Sequence, residues 1–315
     1  AKIENPGKLT LHAKKMMDIL RTFPSGDILI EADSNYNITV TSQQTDIDAN
    51  FRLQGISPDE YPEIENIEDE ESFTIPQHQL RDMLRKTIYA VSKEESRYFL
   101  QGIFFEKKEG QELRLIATDG HRLSISKNDI ESLENYKEFG VMVPQKPLNE
   151  LLKVLENEGD CIIAIKEKRG FFKLNKIEIS TNFIETDFLN YNSVIPKDLS
   201  YKIIAQTQTL SDAIKRISSI LDVKEKRIKF EIRENYLNIY ADNPNLGEAK
   251  EKIEIEYDGK DIDIGLNYDY MLQTLKEIKN EKVIIEVGSD IKPIIVKEEK
   301  NQSSLAVIGP MRLEK

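Results

Sequence analysis

Apolar residues recur along the chain with two periods in turn. A short stretch in which every second residue is apolar leads into a segment with apolar positions at i, i+3, i+4 and i+7, and alternating stretches follow. Five copies of this pattern are present. KLTL precedes Ala13, Met16, Met17 and Leu20; ESFTIPQ precedes Leu80, Met83, Leu84, Thr87, Ile88 and Val91. VMVPQ precedes Leu148, Leu151, Leu152 and Leu155, and YKIIAQ precedes Leu210, Ala213, Ile214, Ile217 and Leu221. In the last copy IDIGLN precedes Tyr268, Met271, Leu272, Leu275 and Ile278. Each predicts a strand entering a helix with one apolar stripe for a sheet to cover, and in the second copy Thr74 and Gln77 have capping-box spacing. The later stretches, such as DILIEA and NITVTS, LRLIAT and RLSISK, or EKVIIEVG and PIIVKE, alternate as half-buried strands with turn residues between them. Antiparallel sheets with helices on one side follow, so the class is α+β. The repeat, about 55–65 residues, is longer than solenoid repeats, and pairing of copies into domains is the better reading.

Composition narrows this picture. At 315 residues the chain is long enough for two or three domains. No stretch approaches the roughly 20 apolar residues of a membrane span. The start, AKIENPGKLT, has neither an apolar signal core nor an Arg-rich transit pattern, and the single cysteine, Cys161, lies in the apolar run CIIAI. These features point to the cytoplasm, no membrane partner, and a core position for Cys161.

Charge changes the picture more. The formal net charge of -12 argues against indiscriminate binding of nucleic acid, so any such role needs a local basic surface. Acidic residues crowd the stretch from Asp59 to Glu71, which reads as a solvated linker. Off the apolar stripes of the five helices lie Lys14, Lys15 and Arg21; Arg81, Arg85 and Lys86; Lys153; Lys215 and Arg216; and Lys276 and Lys279. Asp82, Asp212 and Glu277 share those faces, so an ordinary solvated helix surface is one reading. If the helices stand around a common axis, the other reading is a positive channel that touches phosphates without reading bases.

No catalytic constellation stands out. His12, His78 and His121 are scattered, without metal-ligand spacing to Cys161 or to paired carboxylates. An Asp119, His121, Ser124 triad would need neighbours on one hairpin to converge. The phosphate-cradling glycine loop and the dinucleotide fingerprint are both missing, so neither a cofactor nor a metal is expected. An enzyme assembled from unlinked carboxylates stays open at this point.

The segment Ala117-Thr118-Asp119-Gly120-His121-Arg122-Leu123 matches the ATDGHRL signature of the bacterial DNA sliding clamps at every position. Upstream, Arg97-Tyr98-Phe99-Leu100-Gln101-Gly102 resembles that family's RYYLNG segment, and Pro310-Met311-Arg312-Leu313 its terminal MPMRL. The resemblance covers the whole chain. It implies a DNA clamp fold in which repeated units pair into similar domains, with sheets outside and helices lining a pore. Two subunits would close head to tail around duplex DNA as a non-catalytic processivity factor, with a peptide-binding hub that does not encircle DNA as the alternative.

The resemblance further implies partners: the replicative polymerase catalytic subunit, the clamp loader, and other proteins carrying Gln-Leu-x-Leu-Phe motifs. Their pocket would be lined by Leu100, Thr118, Gly120, His121, Arg122, Leu123, Val194, Tyr270, Val307, Pro310, Met311, Arg312 and Leu313. The chain departs from the family at Leu189, Ser193 and Gly309, and Glu314 and Lys315 extend past the usual last Leu. The pore set would be the basic residues above together with Tyr98. Thr45, Ile47, Ala49 and Phe51, on a strand, would meet Ile220 and Leu221 of a second copy in a homodimer. Residues 1–69 are then expected to be the second half of a first domain whose first half is absent, with 70–193 the middle domain and 194–315 the C-terminal one.

Overall fold

Each copy of the repeat folds as a strand, a helix and three further strands, as a computed structural model describes for residues 2–44, 48–61, 72–222, 224–300 and 303–313. The second copy comprises β4 (Ser72–Pro76), α2 (Gln77–Ile88), β5 (Gly102–Lys107), β6 (Glu112–Thr118) and β7 (Arg122–Asp129). The third comprises β8 (Phe139–Pro144), α3 (Gln145–Val154), β9 (Asp160–Lys166), β10 (Arg169–Leu174) and β11 (Ile177–Asn182). The fourth is β12 (Tyr201–Gln206), α4 (Thr207–Ser218), β13 (Arg227–Arg233), β14 (Tyr236–Asn243) and β15 (Gly247–Glu254). The fifth is β16 (Ile262–Asn267), α5 (Tyr268–Lys276), β17 (Lys282–Val287), β18 (Ile294–Glu298) and β19 (Ser304–Ile308). In the first copy the leading strand is reduced to a bridge between Thr10 and Ile56, followed by α1 (Ala13–Thr22), β1 (Ile28–Ala32), β2 (Asn37–Ser42) and β3 (Asn50–Gln54).

Copies pair by exchanging their leading strands. β4 lies against β9 and β8 against β5; likewise β16 lies against β13 and β12 against β17, always antiparallel. One copy alone would therefore leave a sheet edge open, which is the physical reason that copies come in pairs. Antiparallel pairing of β7 with β19 joins the second copy to the fifth, giving an eight-stranded sheet in the order β12-β17-β18-β19-β7-β6-β5-β8. Four-stranded sheets β11-β10-β9-β4 and β15-β14-β13-β16 complete this part.

The chain divides into two compact units, residues 1–66 and 67–315. In the larger unit the helix stripes are covered as the periodicity predicts. Leu80, Met83 and Leu84 of α2 and Leu148 and Leu151 of α3 sit in one core, and Leu210, Ala213, Ile214 and Ile217 of α4 sit with Met271 and Leu275 of α5 in another. Each large apolar side chain so buried contributes about 1.5–3 kcal/mol. Cys161 is fully buried, and that burial pushes its thiol up to about 12, as a small core hydrophobe.

Several local expectations are corrected. α2 ends at Ile88, α4 at Ser218 and α5 at Lys276, so Val91, Leu221 and Ile278 lie beyond their helices. The capping box is not formed, because Thr74 belongs to β4 and Pro76 caps α2 without a side-chain bond; the Gln77 amide instead donates to Asp160 O and accepts from Glu156 N. In the smaller unit no residue of α1 is buried, and Met17 is 52% exposed. Ile38 and Val40 are the buried apolar side chains of that unit's described residues. β1 carries no outer partner among the described residues, whereas β5, β9, β13 and β17 each carry a strand from another copy. The acidic stretch lies outside the described residues from 62 to 71, as do Glu314 and Lys315. No described helix is long and apolar enough to cross a membrane.

Candidate nucleic-acid interface and ligand groove

The signature segment is a β6–β7 hairpin turn held by its own side chains. Asp119 Oδ1 accepts from the backbone N–H of His121 (3.0 Å) and Arg122 (3.1 Å), while Gly120, at φ +88°, takes the left-handed position that an Asp-Gly pair suits. Thr118 Oγ1 donates to Arg122 O at 2.6 Å and accepts from Gly120 N. Arg97 Nη1, from the 3-10 turn Glu95–Leu100, closes the turn from outside by donating to Asp119 O at 2.6 Å. The motif Arg97–Gly102 gives no sign of this task for Arg97 in the sequence.

Arg122 is buried beneath that turn. Its Nε donates to Asp119 Oδ2 (3.1 Å), its Nη2 donates to Tyr89 O, and its guanidinium lies 4.3 Å from the Tyr270 ring centroid and 5.2 Å from that of Tyr89. Stacking between two rings fixes the planar group in one orientation. Burial pushes the Tyr89 and Tyr270 hydroxyls above their ordinary pKa, so both rings stay neutral beside the cation.

The chain end runs onto the same place. Val307 pairs with Leu123 and Ile308 with Arg122 across β19 and β7; Gly309 N then donates to His121 O (3.0 Å) and Met311 N to Gly265 O (2.8 Å). Arg227 Nη1 donates to Arg312 O. A Cβ on Gly265 would stand 2.5 Å from Met311 O, so this close approach requires glycine. Leu123 and Val307 are buried with Ile116, Ile125, Tyr191 and Ile295, forming a floor, whereas Gly120, His121 and Arg312 are exposed and Pro310, Met311 and Leu313 half-buried. Val194 caps the turn Tyr191–Ser193 and is exposed beside that cluster, with Ser193 exposed and Leu189 part-exposed next to it. Leu100 is buried at the end of its turn, where its carbonyl accepts from Ser92 N.

The basic residues divide into two kinds. Lys14, Lys15 and Arg21 are exposed on α1, and Arg85, Lys153, Lys215, Arg216 and Lys276 on α2 to α5; Tyr98 is also exposed. Several already face carboxylates: Lys153 lies 2.8 Å from Glu150, Lys215 3.2 Å from Asp212, and Arg216 donates through Nε to Glu251 at 3.0 Å. Lys86 does not face solvent, which corrects its place in the channel set. It is buried, with Nζ 3.1 Å from Asp82 and 3.5 Å from Glu298. On that flank of α2 the Glu298 carboxylate, at the end of β18 in the fifth copy, meets Lys86. Arg81 is half-buried, donating to Leu155 O and Asn157 Oδ1. Lys279 lies past α5, not on it, and donates to Asp82. Burial works to raise the Asp82 carboxyl, but the bonds from Lys279 and Lys86 outweigh it and hold the group below the usual carboxylate range.

On the expected dimer surface, Ile220 and Leu221 follow α4 and pack partly buried against the fourth and fifth copies' core. Phe51 lies on β3, but the expected strand is shorter than its span, since β3 begins at Asn50 and Ala49 precedes it. Thr45 and Ile47 lie outside the described residues.

Three families match the chain in succession: the DNA polymerase III beta subunit N-terminal domain over residues 1–65, its central domain over 74–190 and its C-terminal domain over 192–312. The beta sliding clamp of Pseudomonas aeruginosa is 30% identical over 312 residues, covering 98% of this chain and 83% of its own length. Among solved structures, the sliding clamp of Bacillus subtilis superposes with a TM-score of 0.90 at 27% identity, covering 99% of this chain and 82% of that one. A Pseudomonas aeruginosa clamp bound to griselimycin gives 0.86 at 28% identity, covering 98% and 82%. The chain thus belongs to the beta sliding clamp family, the non-catalytic processivity subunits of DNA polymerase III.

Proposed function

We propose that two copies of this chain close head to tail into a ring around duplex DNA in the cytoplasm, with residues 1–69 as the second half of an N-terminal clamp domain, 70–193 as the middle clamp domain and 194–315 as the C-terminal one. The observation that carries this reading is the concentration of exposed cations on the helices of a chain whose net charge is -12. Weak phosphate contacts from Lys14, Lys15, Arg21, Arg81, Arg85, Tyr98, Lys153, Lys215, Arg216, Lys276 and Lys279 suit a ring that slides, since linkage and not affinity then retains the DNA. Among the described residues β15 and β3 are both terminal strands of their sheets, and these edges support pairing between copies, with Phe51 and Ala49 near one edge and Ile220 and Leu221 near the other. After loading by a clamp loader, the protein should remain on circular DNA and leave it when the circle is cut. Equal retention on both forms would instead favour a hub that does not encircle DNA.

The surface formed by the Thr118–Leu123 turn, Val194, Tyr270 and the tail is proposed to take Gln-Leu-x-Leu-Phe segments of the replicative polymerase, the clamp loader and other partners. A relative bound to griselimycin supports a ligand-binding site in this family. An apolar floor beside exposed polar rims is the arrangement that anchors a short peptide. Such a peptide should bind with micromolar-class affinity, about -8 kcal/mol. Unchanged binding after deletion of Met311 to Lys315 would overturn the assignment.

A further inference from the structure

The polar face of α2 borders a cavity of about 310 Å³ that a row of lysines on separate helices would not produce. His78, Arg81, Asp82 and Arg85 come from one face of the helix, at the i, i+3, i+4 and i+7 spacing that stacks side chains in a column, and Gln79 borders it from the next position. Asn128 joins them from the end of β7, and Lys279 reaches in from the fifth copy. The cavity therefore straddles the seam where the eight-stranded sheet passes from β7 to β19.

Its charge is lopsided. Arg81, Arg85 and Lys279 face Asp82, which already accepts from Lys86 and Lys279; Glu277, near enough to interact with Arg85 and Lys279, has its carboxyl raised by burial. Arg81 is aimed by its bonds to Leu155 O and Asn157 Oδ1, which hold the guanidinium in place. Arg85 forms no hydrogen bond or ion pair among the described residues, so its guanidinium is free for a ligand. Gln79 and Asn128 add neutral amide donors at the wall. Cations gathered around a concavity, one of them held by its own bonds, in a chain that is otherwise acidic, select an anion with several acceptor oxygens.

We infer that this cavity is a discrete phosphoryl-binding site, a seat for one phosphodiester group or the end of a free polyphosphate, and not merely part of a diffuse positive surface. The inference deepens the proposed DNA-facing role and rests on it for the duplex as the source of the phosphate. Because Arg81 and Arg85 belong to the second copy and Lys279 to the fifth, a bound phosphoryl group bridges the two halves of the larger unit.

The test uses the full chain, with Arg85→Ala and Lys279→Gln inside the cavity and Lys215→Ala, an exposed cation on α4, outside it. Circular dichroism checks that each variant folds. In one arm, inorganic pyrophosphate is titrated calorimetrically and by thermal shift. In the other, short duplex DNA is titrated at several salt concentrations. A built site predicts that pyrophosphate binds and raises the transition temperature, that Arg85→Ala weakens it at least tenfold, and that Lys215→Ala leaves it unchanged. It also predicts that Arg85→Ala and Lys279→Gln are non-additive in DNA binding by more than threefold, whereas Arg85→Ala and Lys215→Ala are additive. Non-additivity with DNA alone supports the site with the duplex backbone as its source, and binding of pyrophosphate alone supports it with a free polyphosphate as its source. Absence of both effects overturns the site; if single variants still lower the salt slope of DNA binding, the broader DNA-facing reading survives without it.

Discussion

Replacing Lys86 with methionine separates the two roles open to a lysine on a basic helix. Lys86 and Glu298 are both almost fully enclosed, and their charged ends stand 3.5 Å apart. At an effective dielectric constant of 20 the gross attraction at that distance is about 5 kcal/mol, most of which offsets the cost of removing both ions from water. The carboxylate left behind therefore sets the size of the effect. Methionine fills the lysine stem, but among the described residues Glu298 then keeps only Lys279 N, at 3.2 Å, as a donor. Breaking a buried pair from one side costs about 3–5 kcal/mol, and the lower end is expected because Asp82 retains Lys279. Glu298→Gln should cost less, about 1–2 kcal/mol, since Lys86 keeps Asp82. Combining Lys86→Met with Glu298→Leu removes both charges and should return to within about 1 kcal/mol of the parent, giving a coupling of about 3 kcal/mol. Urea unfolding followed by far-ultraviolet circular dichroism measures these differences; the chain has no tryptophan for fluorescence. The same protein should show an unchanged salt slope in duplex binding, where Arg85→Ala lowers it by about 0.9. Parent-like stability of Lys86→Met together with a reduced slope would refute the burial argument and return Lys86 to the DNA-facing set.

Gly265→Ala should displace the tail, because the new Cβ meets Met311 O at 2.5 Å; a loss of about 1–3 kcal/mol, with faster hydrogen exchange at Met311 N–H and weaker peptide binding, is expected. Burial outweighs the nearby Lys276 and Arg85 charges and raises the Glu277 carboxyl above its ordinary 4.5, so the folded chain holds that proton more tightly than the unfolded chain. Its contribution to stability therefore falls as pH rises from 4.5 through the raised value, and Glu277→Gln should raise the unfolding midpoint at pH 7 more than at pH 4; equal effects at both would contradict it. Ile220→Ser with Leu221→Ser should shift the monomer–dimer equilibrium toward monomer by tenfold or more in analytical ultracentrifugation, while peptide binding stays intact.

Much of this protein was legible in its sequence because local periodicity decides local structure. The alternating and helical periods located the five helices and the strands around them, and Asp119-Gly120 announced its hairpin, since strand pleat, helix pitch and turn geometry each depend on a few adjacent residues. The tail and the signature could be read as motifs, but only folding put them side by side, through the pairing of β19 with β7. The exchange of leading strands between copies was likewise decided by tertiary structure, because every copy presents the same edges and the sequence does not say which edge meets which. Lys86 shows the limit most clearly. Its spacing from Asp82 marks an i, i+4 ion pair on a polar face, and nothing within that helix says that Glu298, more than two hundred residues away, arrives to bury it. The cavity at Arg85 has the same origin: helix spacing aligned His78, Arg81 and Arg85, but Asn128 and Lys279 reach the site only through the sheet that spans the seam. Amphipathic patterning identifies the face that meets a helix's own sheet; a second contact on the opposite flank is set by packing between copies, and that is a property of the assembled fold.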